Sequence, residues 1–154
     1  MSLRVQLTDA MKEAMKAKDA KRLSTVRLML AALKDRDIAA RSETSRELLG
    51  EDEILTLLAK MIKQREESVL AYDTGNRPEL AAGEREEIVI IRSFMPAQMD
   101  DAAMKEAVTK VIAETGAASI KDMGKVMAVL KERFAGQMDF SKASAATKDA
   151  LSGK

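Results

Sequence analysis

Apolar residues recur three and four positions apart along almost the whole chain, while strand-like alternation backed by β-branched and aromatic residues appears at no useful length. The pattern predicts an all-α protein. Leu3, Leu7, Met11 and Met15 step by four along a first helix that should end at Ala17-Lys18-Asp19. In a second helix Leu23, Val26, Leu30 and Leu33 form a heptad-like seam. Asp37 interrupts that seam where another apolar residue is due, so it should have a polar partner. Arg41 to Gly50 reads as a connector, after which Glu51-Asp52-Glu53 places negative charge where a helix N-terminus favours it.

Ile54, Leu58, Met61, Val69 and Tyr72 mark the inward stripe of a long third helix, ended by Asp73-Thr74-Gly75-Asn76. Pro78 suits the first turn of a fourth, where its missing N–H would have no intrahelical partner, and Leu80, Ile88, Ile91 and Met95 should follow inward. Pro96-Ala97-Gln98-Met99 then breaks the pattern. The sequence thus predicts an N-terminal helical domain of about four helices, residues 1–95, and a small three-helix C-terminal domain, residues 96–154. In the latter, Asp100 should cap a helix with the stripe Met104, Val108, Val111 and Ile112 and an end at Gly116. Ser119-Ile120-Lys121-Asp122 resembles a capping box opening the next, with Met123, Val126, Met127, Leu130 and Phe134 inward and Gly136 closing it. The last helix should run from about Asp139 to Leu151 with Phe140, Ala143, Thr147 and Leu151 inward.

Composition narrows the chemistry more than the fold. Of 154 residues none is Cys, His or Trp, which removes thiol nucleophiles, histidine bases, disulfides and Cys/His zinc sites; no catalytic residue, cofactor or metal ligand is expected. The longest apolar run, Ile88 to Ile91, is far short of a membrane span, and the N-terminus lacks the apolar core of a secretion signal, so the expected location is cytoplasmic. Net charge is only +1, but residues 1–41, 42–96 and 97–154 carry +5, −5 and +1. A basic face for phosphate is one reading of this asymmetry; attraction between neighbouring helices is the other. The clusters Glu51-Asp52-Glu53, Glu66-Glu67, Glu84/Glu86/Glu87 and Asp100-Asp101 fit capping and solvation better than cation binding. The eleven methionines fall mostly on inward stripes, as core filling requires.

Gly124-Lys125 is not a phosphate loop, because Ser119 stands where that motif needs glycine and Val126 where it needs Ser or Thr. Gly124 falls beside an apolar stripe, where a missing side chain would let another helix approach closely. The more suggestive chemistry is the helix start at Ser119, with unpaired N–H groups and a positive dipole end joined by Lys121 and Lys125, which point away from the apolar stripe. Arg27, Lys34 and Arg41, spaced by seven, form a second basic row.

Phe94-Met95-Pro96-Ala97-Gln98-Met99, Glu114-Thr115-Gly116-Ala117-Ala118-Ser119 and Lys121-Asp122-Met123-Gly124-Lys125-Val126-Met127 resemble the YqeY-like (GatB/YqeY) family. The likeness extends to Leu23-Ser24-Thr25-Val26-Arg27 with Ala31-Ala32-Leu33, to Arg65-Glu66-Glu67-Ser68 with Tyr72, and to Gly75-Asn76-Arg77 with Leu80. The resemblance implies a small domain similar to the tRNA-contacting tail of the B subunit of the tRNA-dependent glutamine amidotransferase. The chain departs from the family where many members have Ala-Asp-Gly-Lys: here the segment is Met138-Asp139-Phe140-Ser141-Lys142, which keeps an Asp and a nearby lysine.

The leading expectation is a non-catalytic, tRNA-associated accessory module, with Ser119, Lys121, Lys125 and Lys142 as phosphate-binding residues and Arg27, Lys34 and Arg41 as a secondary row. The alternative is a protein-interaction adaptor for a translation or amidotransferase complex. A carbon–nitrogen ligase with glutamine as amide donor, sometimes ascribed to the family, is the weakest reading, since the chain lacks a phosphate loop and a catalytic cysteine.

Overall fold

Helix ends fall where the sequence supplies groups to cap them, in a computed structural model that describes residues 2–42 and 48–153. The elements are α1 (Leu3–Ala17), α2 (Ala20–Ala39), α3 (Glu51–Thr74), α4 (Pro78–Arg92), α5 (Asp101–Thr115), a 3-10 turn (Ile120–Asp122), α6 (Met123–Arg133) and α7 (Phe140–Ser152). The described residues contain no strand, and the chain is all-α. Ser2, Asp19, Asp100 and Asp139 each accept a backbone N–H from the first turn of the helix they precede. Pro78 takes the first position of α4, and Gly116 ends α5 at φ +69, a conformation that a side chain disfavours.

Contacts divide the chain into two compact units, residues 1–95 and 96–154. In the first, Leu3 and Leu7 of α1, Met29 and Leu33 of α2, Ile54, Leu57, Leu58, Met61 and Ile62 of α3, and Ile91 of α4 form one apolar core. Asp37 of α2 has the partner its position demands: both its carboxylate oxygens accept from the Arg4 guanidinium of α1, at 2.7 and 2.8 Å. It also accepts the Leu49 N–H at 3.0 Å, while Arg4 reaches the Leu49 carbonyl at 3.1 Å. Glu51, in the first turn of α3, accepts the Leu3 N–H at the start of α1. One carboxylate thereby serves two helix N-termini. Part of the Arg41–Gly50 connector, residues 43–47, lies outside the described residues.

The inward faces differ from the sequence reading in detail. In α1, Ala10 and Ala14 are buried and Met15 is 51% exposed. Steps of four residues turn 400°, so the Leu3, Leu7, Met11, Met15 row drifts 40° per step off a straight face and Met15 emerges into solvent. On α4, Ala81 lies one heptad before Ile88 and takes the inward position, which turns its neighbour Leu80 outward to 39% exposure. On α3, full burial stops at Ile62; Val69 and Tyr72 are half-buried.

In the second unit, Met104, Val108, Val111 and Ile112 of α5 pack with Val126 and Leu130 of α6 and Ala143 and Leu151 of α7. Thr147, buried among them, turns its hydroxyl back to the Ala143 carbonyl at 2.8 Å. Phe134 and Phe140 pack against this core half-buried. The Met99 N–H bonds the Gln137 carbonyl, fastening the start of this unit to the loop after α6.

Candidate functional site

The α5–α6 junction holds three of the residues singled out in the sequence, Ser119, Lys121 and Lys125, with one change in their expected chemistry. Lys121 sits in the 3-10 turn and Lys125 in the first turn of α6, both exposed and neither in an ion pair among the described residues. Between them stands Asp122, whose carboxylate accepts the N–H groups of Ala118 at 2.9 Å and Ser119 at 3.4 Å. Those two bonds, with the nearby Lys125 charge, hold Asp122 below the usual carboxylate range. The Ser119 N–H is therefore not free for a ligand anion. The reciprocal half of the capping box consumes it and adds a negative charge beside two positive ones. What the junction presents to an anion is two exposed ammonium groups with one carboxylate between them.

Gly124 corrects a second expectation. No helix packs against it: a Cβ built there would meet nothing within 4 Å. Its backbone is bare to solvent between the two lysines. Since the position is helical and uncrowded, Gly124→Ala is expected to raise the stability of residues 96–154 by about 0.5–1 kcal/mol, read from urea melts. A loss of stability would show that this face is covered.

Lys142 does not join the group. At the start of α7, it lies 3.9 Å from Asp101 at the start of α5. Ser119 comes four residues after the far end of that helix, whose length is about 22 Å. Arg27 and Lys34 are exposed along one side of α2, with Arg41 just past its end.

Two features of the first unit were not foreseen. Glu87 of α4 accepts from Arg65 of α3 at 3.0 Å and lies 3.4 Å from Lys21 of α2, linking three helices. Burial, and then the Glu87 charge, push the neighbouring Glu84 above its ordinary range. The second is an open groove of about 430 Å³ between α2 and α3, lined on α2 by Leu28, Ala31, Ala32, Asp35 and Arg36. On α3 it is lined by Leu57, Lys60, Met61, Gln64 and Arg65. The only hint of it in the sequence is Leu28, an apolar residue off the helix's inward stripe. Among the described residues no cluster of three or more metal-ligating side chains occurs, and no helix is long and apolar enough to cross a membrane.

Residues 4–151 match the family described as Yqey-like protein. The chain belongs to the YqeY-like family. Among curated proteins it is similar to "Altered inheritance of mitochondria protein 41, mitochondrial" from several yeasts. The Vanderwaltozyma polyspora protein is 32% identical over 101 residues, 66% of this chain and 52% of its own length. The Saccharomyces cerevisiae protein is 32% identical over 85 residues, 55% of this chain and 44% of its own. The Candida glabrata protein is 29% identical over a stretch of the same length, with 45% of its own chain covered. This YqeY-like chain thus spans about half the length of these relatives.

Proposed function

We propose that this chain is a non-catalytic, tRNA-associated accessory module whose C-terminal unit docks on the phosphate backbone of a folded RNA. The observation that carries the reading is the junction at Lys121 and Lys125: two exposed cations, neither in an ion pair among the described residues and with the Asp122 carboxylate between them, flank a glycine that no other described residue crowds. A phosphate can approach such a surface closely, and two lysines compensate its charge without reading base identity. The resemblance of the C-terminal motifs to the amidotransferase tail favours RNA as the source of that phosphate. The proposed compartment is the cytoplasm. The yeast relatives have "mitochondrial" in their names, and fractionation of the producing cell separates the two possibilities.

The test is tRNA binding at graded salt. Affinity is expected to be weak, in the range of non-specific contacts, with a log-log salt slope of about −0.7 to −0.9 for each phosphate engaged. Reversal of Lys121→Glu with Lys125→Glu should abolish most binding to all tRNAs alike while leaving the melt unchanged. The same reversal at Lys16 and Lys18 is the control. Absence of binding at low salt, or sensitivity of the control pair instead, overturns the reading.

A second reading, a protein-interaction adaptor, is favoured by a separate observation, the groove between α2 and α3.

A further inference from the structure

We propose that the α2–α3 groove is the docking site for one helix of another protein, amphipathic and flanked by carboxylates. This rests on the adaptor reading and is independent of the RNA contact at Lys121 and Lys125. The lining residues fall at Leu28, Ala31, Ala32, Asp35 and Arg36 on one wall and Leu57, Lys60, Met61, Gln64 and Arg65 on the other. Each set has the spacing i, i+3, i+4, i+7, i+8, so each helix turns one continuous stripe into the groove. Two such stripes side by side form the surface into which the side chains of a third helix pack. The wall of α2 is 48% exposed at Leu28 and has only methyl groups at Ala31 and Ala32, which lets a partner backbone come close. Leu57 and Met61 make an apolar floor, and the stripe length of about 12 Å matches a little over two helical turns.

Charge selects the occupant. Arg65 is engaged by Glu87 and the Met61 carbonyl, but Arg36 and Lys60 make no ion pair among the described residues. The Arg27 and Lys34 row runs along the outer side of α2, and Lys63 is exposed on α3. Asp35 is the one acid of the lining, with Glu53 four residues before its α3 wall and Glu67 two residues after it. A helix with Asp or Glu beside its apolar stripe would meet unpaired cations on both walls. A second copy of this chain would set that basic rim against itself. The lining has no aromatic ring on which a base could stack, which argues against single-stranded RNA as the occupant.

The probe is a displayed library of stapled helical peptides of about 14 residues, with a fixed apolar stripe and randomised flanks, selected on the full chain. Acidic flanks should be enriched. Ala31→Arg, at an exposed position that leaves the core untouched, should weaken the selected peptides by about tenfold or more. Arg36→Glu with Lys60→Glu should also weaken them, and a peptide with basic flanks should restore binding to that variant. Retention of tRNA affinity in Ala31→Arg keeps this result separate from the RNA reading. The proposal is overturned by selection that yields no peptide sensitive to Ala31→Arg, or by a self-association in the unaltered chain that Ala31→Arg abolishes. Loss of tRNA binding in the rim variants overturns it equally.

Discussion

Leu130→Ala is expected to unfold residues 96–154 and to leave the melting of residues 1–95 in place. Leu130 is fully buried at the centre of the α5–α6–α7 core. Truncating such a leucine costs about 2.7–5 kcal/mol, from lost transfer energy and the cavity left behind. A unit of about sixty residues has a total stability of roughly 3–9 kcal/mol at 0.05–0.15 kcal/mol per residue. At the middle of both ranges one substitution removes more than half of it. The measurement is a thermal melt followed by limited proteolysis: cleavage sites should spread through residues 96–154 while the fragment 1–95 resists. A single cooperative transition that shifts as a whole would show that the units do not fold independently, and the break at Pro96 would then carry no energetic meaning.

Asp37→Ala is expected to destabilise residues 1–95 by about 3 kcal/mol, near the low end of the cost of breaking a buried ion pair because Arg4 keeps 27% of its side chain in water. The substitution removes three hydrogen bonds at once, two from Arg4 and one from Leu49. The same site sets an acid dependence. The Arg4 guanidinium, aided by the Leu49 N–H, holds the Asp37 carboxyl down to about 2 from an ordinary 3.8. A carboxylate held down in the folded state contributes stability above its unfolded value and loses it as pH falls. Roughly 2 kcal/mol should thus disappear between about pH 4 and pH 2. Urea melts of Asp37→Asn should lack this slope, and the gap between the variant and the unaltered chain should close toward pH 2. A gap that stays constant across that window would show that Asp37 gains nothing from being ionised.

Helix ends were legible because each rests on local chemistry: Asp100, Asp139, Pro78 and Gly116 act within a few residues of themselves. The need of Asp37 for a partner was legible too, but Arg4 was not, since it lies on another helix and no spacing rule connects them. Inward faces were half legible. A row of methionines and leucines looks straight in sequence, yet it winds around the cylinder, and alanines such as Ala10, Ala14 and Ala81 take the inward positions without announcing themselves. At the candidate site Lys121 and Lys125 were identified by their distance from the apolar stripe, and their exposure agrees. The Ser119 N–H is not free as the helix start alone suggests, because the capping-box carboxylate of Asp122 occupies that donor. The open space at Gly124 is not legible in the sequence, since periodicity says which face points inward but not whether a further helix exists to cover the others.

The pinning of Leu3 and Arg4 to residues 37–51 bears on how the chain acquires its structure. Most packing in both units joins helices that follow one another along the sequence, the regime in which small domains fold in microseconds to milliseconds. The bonds from α1 to Asp37, Leu49 and Glu51 span 33 to 48 residues. They close long loops around the first core, as does the Lys21–Glu87 pair, which spans 66 residues. Weakening them should speed unfolding more than it slows folding, so the lifetime of the native unit, rather than the rate of its birth, is what Arg4 and Asp37 govern.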